Sequence, residues 1–189
     1  MNLIESDAVL LRRRRFSDHS FVVTWITRDY GKLVSVARSA ERPKSPLFGR
    51  VDIFSESRVT LAPPKKGDLF TVTEVTPLLS LPALYPTILT AGYFAELIDL
   101  FVEPAFPDED AFLLVQRAWK FLRESSPSLK AVLHFERELA SCLGVYDPSQ
   151  TGLVCLSNIG PRIPRSRPAL VEFLNTHPVV SKDICSTIS

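Results

Sequence analysis

The sequence predicts an α+β protein in which a five-stranded β-barrel is followed by an all-helical domain. Apolar residues alternate with a period of two up to residue 76, and they follow a helical period after Pro77. The net charge changes sign at the same place: it is +4 over residues 1–76, −5 over residues 77–150 and +2 over residues 151–189. We therefore divide the chain into a barrel domain (1–76), a helical domain (77–150) and a C-terminal segment with a short helix (151–189).

Composition excludes several classes of protein. The chain has 189 residues, of which 46% are hydrophobic and 23% charged, which is typical of a folded globular protein. Its most apolar window, residues 88–102, contains Glu96 and Asp99 and is shorter than the roughly 20 residues of a membrane helix. No signal peptide is expected, and three cysteines without a Cys-x-x-Cys spacing favour a reducing compartment. These features predict a cytoplasmic protein that does not contact a membrane.

Five segments of the first domain have the alternation and the β-branched residues that are typical of strands. They are residues 8–13, 20–27, 32–38, 51–61 and 69–76. Gly31 supplies positive φ for the turn before the third segment, and residues 63–68 form a loop by composition. Residues 41–49 contain two prolines and are expected to form an exposed loop. Five short strands in so few residues predict a small barrel, because closure removes free strand edges.

Four segments after a proline-rich connector (residues 78–86) have helical periodicity. They are residues 87–102, 108–124, 127–143 and a shorter one at 169–177. Residues 108–110 are acidic and occupy the first turn of the second helix, where carboxylates interact favourably with the helix dipole. Gly144 is expected to cap the third helix.

No set of titratable residues in the sequence converges on an active site. Residues 108–110 suit a helix start better than a magnesium site, because neighbouring side chains on a helix diverge. Residues 17–20 contain the residue types of a catalytic triad, but adjacent residues cannot align a nucleophile with its base. We interpret His134 and Cys142 as packing residues and Glu136 as a solvated surface charge. We therefore expect no catalytic residue, no metal and no cofactor.

Clustered cations in the first domain predict contact with a polyanion. Adjacent arginines repel one another unless phosphates neutralise them, and interleaved aromatic residues offer stacking surfaces for unpaired bases. The mid-strand residues Phe21, Trp25 and Phe54 are expected to fill the barrel core instead. The other aromatic residues of this region are Phe16, Tyr30 and Phe48. The candidate DNA-binding residues are Arg12, Arg13, Arg14, Arg15, Arg38, Arg42, Lys44, Arg50, Lys65 and Lys66.

The order and spacing of several motifs resemble the RecO (recombination protein O) family of bacterial DNA repair proteins. The motifs are the Ser17-Asp18 turn, the Tyr30-Gly31-Lys32 turn, the run Arg42-Pro43-Lys44-Ser45, and residues 95–100 and 135–144 of the helical half. The resemblance covers about residues 7–150. It implies an OB-type barrel that binds single- and double-stranded DNA and anneals complementary strands. It also implies that the protein acts at the nucleoid and helps RecR to load RecA on DNA coated by the single-strand-binding protein SSB.

The resemblance further implies that the helical domain takes the acidic, apolar C-terminal tail of SSB. The cations available for such a peptide are Arg117, Lys120, Arg123, Lys130 and Arg137, for which solvated helix faces are the alternative interpretation. Many family members carry a four-cysteine zinc site after the Leu-Gly position, but here Cys155 lacks its second cysteine, so no metal site is expected. Two alternative functions stay open: a nuclease that uses the acidic helical half, and an OB-type RNA-binding protein.

Overall fold

Five strands close into a barrel in the order β1-β2-β3-β5-β4. The computed structural model describes residues 2–64, 67, 69–104, 106–160 and 164–177. Within them the strands are β1 (Ile4–Ser17), β2 (Ser20–Thr27), β3 (Gly31–Ala37), β4 (Glu56–Ala62) and β5 (Phe70–Leu79). Neighbouring strands are antiparallel except β3 and β5, which run parallel and close the barrel. The predicted OB-type barrel is confirmed.

Three strands differ from their predicted bounds by three residues or more. β1 runs from Ile4 to Ser17 instead of 8–13, and β4 begins at Glu56 instead of residue 51. β5 continues past residue 76 to Leu79, into the predicted connector. Residues 51–55 leave the sheet because Phe54 adopts a positive φ of 62°, which a strand does not contain. The backbone of Leu10 holds this turn, since its carbonyl accepts from Phe54 N (2.9 Å) and its N–H donates to the Ser55 carbonyl (3.0 Å).

Helices make up most of the rest of the described chain. They are α1 (Tyr85–Phe101), α2 (Glu109–Glu124), α3 (Leu129–Cys142), α4 (Gly152–Ser157) and α5 (Arg167–Thr176). Asp108 caps α2 as predicted, with its carboxylate accepting from Ala111 N at 2.9 Å. Gly144 follows α3 with a positive φ of 70°. α4 was not predicted, because six residues are too few to show a helical period.

The barrel has a hydrophobic core of its own, and a second core joins one side of it to the helices. Four barrel residues, Val9, Leu11, Ile26 and Phe54, pack in the same cluster as the buried faces of α1 and α2. The Phe54 ring meets the edge of Trp119 at a centroid distance of 6.2 Å, and Trp119 Nε1 donates to the Phe54 carbonyl at 2.5 Å. The barrel is therefore fixed on the helical domain by packing and by a buried hydrogen bond.

Two interpretations of α3 side chains were wrong. Glu136 is fully buried instead of solvated, because α5 covers it: Arg167 Nε lies 2.7 Å from its Oε1, and the Tyr93 hydroxyl donates to the same oxygen at 2.5 Å. His134 is exposed instead of packed, because it lies on the outer face of α3, where Arg137 Nη2 is 2.9 Å from its Nδ1. Cys142 is partly buried at the margin of the core.

We expect the substitution Phe54→Ala to lower the free energy of unfolding by about 3–5 kcal/mol, because it removes a buried ring from the contact between barrel and helices. Urea unfolding followed by circular dichroism measures this loss. The matched control is Phe48→Ala, which removes an exposed ring and should change the free energy of unfolding by less than about 0.5 kcal/mol. Equal losses in the two variants would contradict a core role for Phe54.

Tyr93 should give the protein a specific sensitivity to alkaline pH. Burial, and then the neighbouring Glu136 carboxylate, raise the pKa of the Tyr93 phenol well above its ordinary value of 10. Above pH 10 the folded state therefore keeps a proton that the unfolded state loses. The contribution of Tyr93 to the free energy of unfolding is thus complete below pH 10 and declines above it. The decline is at most about 1.4 kcal/mol per pH unit.

The variant Tyr93→Phe lacks this titration but retains the other tyrosines and the lysines. We expect it to be less stable than the wild type at pH 7, because Glu136 loses a hydrogen bond. This gap in stability should narrow between pH 10 and 11, because only the wild type is destabilised by the titration of Tyr93. Urea midpoints of both proteins at each pH measure the gap. A gap that is constant or grows above pH 10 would mean that the Tyr93 pKa is not raised in the folded protein.

Candidate nucleic-acid interface

The four consecutive arginines lie on the part of β1 that pairs with β2 but not with β4. β1 pairs with β4 only from Ile4 to Val9, whereas it continues to pair with β2 as far as Ser17. A register irregularity between Leu10 and Arg12 marks the change. The β4 side of β1 thus has no strand partner past this point, and all four arginines are exposed.

The arginines point to different neighbours, because side chains alternate along a strand. Arg12 Nη1 reaches Asp99 of α1 at 3.3 Å, on the side of the helical domain. Arg15 Nη2 forms an ion pair with Glu41 at 2.9 Å, on the side of the segment 38–52. Arg13 also faces that segment, and its Nη1 donates to the Val51 carbonyl at 2.7 Å.

The segment 38–52, which we call the cationic loop, links β3 to the start of β4. It folds as successive turns, in which Ser45 N donates to the Arg42 carbonyl and Phe48 N to the Ser45 carbonyl. Leu47 anchors it, because this side chain is buried in the barrel core. The loop is exposed as predicted except at such anchors, and it therefore presents its cations from a defined backbone.

Most cations of this loop have no acidic partner among the described residues. The side chains of Arg38, Arg42 and Lys44 are exposed and form no ion pair or hydrogen bond with any other described residue, and the same holds for Arg14 on β1. Arg50 is exposed and donates to the Val75 carbonyl at 3.3 Å. The candidates Lys65 and Lys66 lie outside the described residues.

The aromatic residues divide into buried and exposed sets. Phe21 and Trp25 fill the barrel core as predicted, whereas Phe54 is buried between the barrel and the helices. Phe16 and Phe48 are exposed, Phe48 beside the loop cations. These two rings are the ones available to a ligand at this end of the barrel.

A second candidate surface is an apolar groove between α2 and α3. Its cavity of about 670 Å³ has a floor of aromatic side chains, in which Phe94 and Phe135 stack at a centroid distance of 3.9 Å. Arg117 and Lys130 line the groove, while the other predicted cations do not. The aromatic floor was missed from the sequence, although Leu114, Arg117 and Phe121 have the spacing of one helix face. We call this feature the helical groove.

The described residues contain no group of three or more histidine, cysteine or acidic side chains that could hold a metal ion. Cys142 and Cys155 are free thiols, and Cys185 lies outside the described part of the chain. No helix among the described residues is long and apolar enough to cross a membrane.

Comparison with known proteins confirms the resemblance. Residues 1–81 match the family model described as "Recombination protein O N terminal". The chain is 31% identical over 147 residues to the DNA repair protein RecO of Heliobacterium modesticaldum, covering 76% of this chain and 52% of that relative. It is 29% identical over 132 residues to RecO of Desulfitobacterium hafniense (68% and 48%) and 29% over 151 residues to RecO of Rhodopirellula baltica (78% and 56%). The chain thus spans about half the length of the curated relatives it matches.

Proposed function

Because this chain belongs to the RecO family through its barrel, we propose that it is a DNA-binding recombination mediator of DNA repair and not an enzyme. In this proposal it binds single- and double-stranded DNA, anneals complementary strands and, with RecR, helps to load RecA on DNA coated by SSB. It would act in the cytoplasm at the nucleoid. The observation that carries the proposal is the set of unneutralised cations on the cationic loop beside the arginines of β1.

Annealing requires two phosphate backbones to approach each other, and cations that are not already paired can neutralise both. Binding to phosphates releases counterions, so the affinity should fall steeply with salt. Phosphate contacts carry no sequence information, so the sequence dependence should be weak. The loop suits this task because its turns fix the backbone that carries the cations, which reduces the backbone entropy lost when the DNA binds.

Reversal of charge at Arg38, Arg42 and Lys44 together should weaken DNA binding and slow annealing. These exposed side chains have no partner among the described residues, so each change should cost the fold less than about 0.5 kcal/mol. On single strands, the slope of log K against log[salt] should become flatter by about 0.7 for each phosphate contact removed. Fluorescence anisotropy over a salt series and a strand-annealing assay measure the two effects.

The matched control reverses Lys120, Arg123 and Lys130, which are equally exposed but lie on the helical domain. It should bind DNA like the wild type. Equal affinities of the two triple variants would place the DNA site elsewhere. Preference for an RNA strand, or cleavage of labelled DNA with magnesium, would support one of the alternative functions instead.

The helical groove is the proposed site for the C-terminal tail of SSB. A peptide that is both acidic and apolar needs an apolar floor with cations at the edge, and the groove combines Phe94 and Phe135 with Arg117 and Lys130. RecR is proposed as a further partner, without a surface assigned to it.

Reversal of charge at Arg117 and Lys130 should weaken binding of an SSB tail peptide by about tenfold or more, because each charge-assisted contact contributes about 1.5–3 kcal/mol. Calorimetric titration of the peptide into the protein measures the change. The control reverses Lys120 and Arg123, which are exposed on α2 but do not line the groove. An unchanged affinity in the groove variant, or an equal loss in the control, would contradict this site.

A further inference from the structure

A cavity of about 500 Å³ opens between the cationic loop and the ends of β1 and β2 that carry Arg13 and Phe21. Its lining combines aromatic, cationic and acidic side chains with backbone: Arg13, Phe21, Ala40, Glu41, Phe48, Gly49, Val51 and Asp52. We propose that this cavity receives one unpaired base of single-stranded DNA, which stacks on Phe48. The proposal rests on the proposed DNA-binding function and names the part of the ligand that this site takes.

One wall of the cavity is fixed before any ligand binds. Arg13 donates to the Val51 carbonyl at 2.7 Å, and its guanidinium lies 4.7 Å from the centroid of the Phe21 ring. Both partners are buried, so the guanidinium plane is held between the barrel and the open part of the cavity. A planar cation held in this way is suited to stack against a base as well as against the phenyl ring below it.

The opposite side carries an aromatic ring with no packing role. Phe48 is 51% exposed although its neighbour Leu47 is anchored in the core and its own N–H donates to the Ser45 carbonyl. A Cβ placed on Gly49 would meet no atom within 4 Å, so the space beside Phe48 is open. A base that stacks on the ring would bury it, and such stacking is favourable for every base because each has a π face.

The acidic residues of the lining decide between a base and a phosphate as the occupant. The Glu41 and Asp52 carboxylates border the cavity, and Arg15 neutralises Glu41 but not Asp52. Arg13 offsets the charge of Asp52, so the lining has no excess positive charge to hold a phosphate, whereas a neutral base needs none. The phosphates on either side of the base would instead meet Arg42, Lys44 and Arg50, which are exposed on the same loop.

This arrangement distinguishes single-stranded from double-stranded DNA. A base in a duplex is paired and stacked, and leaving the stack costs a few kcal/mol. An unpaired strand has no such penalty, so the cavity should favour it while the surrounding cations bind both forms alike.

The test compares three ligands of equal length: a single-stranded oligonucleotide, a backbone of abasic spacers with the same phosphates, and a duplex. Phe48→Ala should weaken binding of the single strand by about fivefold or more, because stacking on an aromatic ring is lost. Its affinities for the abasic strand and the duplex should change by less than about twofold, since these ligands present no free base. The control variant, Phe106→Ala, removes a ring that is 72% exposed beside the acidic start of α2 and should alter none of the three affinities.

Phe48→Trp provides a direct signal from the site. Trp25 and Trp119 are fully buried, so a quencher in solution will report mainly on the new indole. This variant should bind the single strand as tightly as the wild type does, because it keeps an aromatic ring. The bound single strand should protect the new indole from the quencher, whereas the abasic strand should not. Equal weakening of all three ligands by Phe48→Ala, or no weakening, would overturn the base site while DNA binding itself stands. A wild-type protein that binds none of the ligands would overturn the DNA-binding proposal as well.

Discussion

The contact between Phe54 and Trp119 is the constraint on which the rest of the structure depends. It needs Phe54 to leave the sheet in a left-handed conformation, which costs about 1–2 kcal/mol and is offset by a buried ring, a carbonyl that accepts from the indole, and two backbone bonds to Leu10. Because the chain turns here, β4 starts only at Glu56 and covers β1 no further than Val9. The arginines that follow on β1 are exposed for this reason. The packing of the barrel on the helices thus determines which arginines of the barrel are exposed to the proposed DNA ligand.

Charge is distributed in the structure by the same packing. At the seam between barrel and α1, Asp99 lies 3.3 Å from Arg12, and its carbonyl accepts from the buried Lys32 Nζ at 2.6 Å. Burial lowers the pKa of Lys32, and Asp99 opposes this shift, so the pair stabilises the contact between β3 and α1. The cationic loop lies on the other face of β1, where it contacts Arg13 and Arg15. Arg12 and Lys32 of the first domain therefore interact with Asp99 of α1, whereas most cations of the cationic loop have no acidic partner among the described residues.

The period of two located all five strands, but it could not locate four of their ends: both ends of β1, the start of β4 and the end of β5. Four arginines interrupt the apolar alternation, so the pattern predicted that β1 ends near residue 13, whereas backbone pairing with β2 continues to Ser17. Val51 and Ile53 alternate like strand residues, yet the contact with Trp119 requires a turn. On α3, the sequence pattern does not show whether Glu136 or His134 is the buried side chain. Contacts of Glu136 with Tyr93 of α1 and Arg167 of α5, which are 43 and 31 residues away in sequence, determine that it is the buried one. Local patterns predict elements, and these errors all arise from contacts between elements.

The two proposed binding surfaces take ligands of the same sign, and the structure offers a reason why they need not compete. The helical domain carries a net charge of −5 over residues 77–150, so a long polyanion such as DNA is repelled from it as a whole. A short acidic peptide extends over little more than the helical groove, where Arg117 and Lys130 act at close range and the aromatic floor adds a contribution that salt does not screen. DNA would lack that apolar contribution in the groove, and the peptide would lack a run of phosphates for the cationic loop. Length and apolar content, and not charge alone, would then direct each ligand to its own surface.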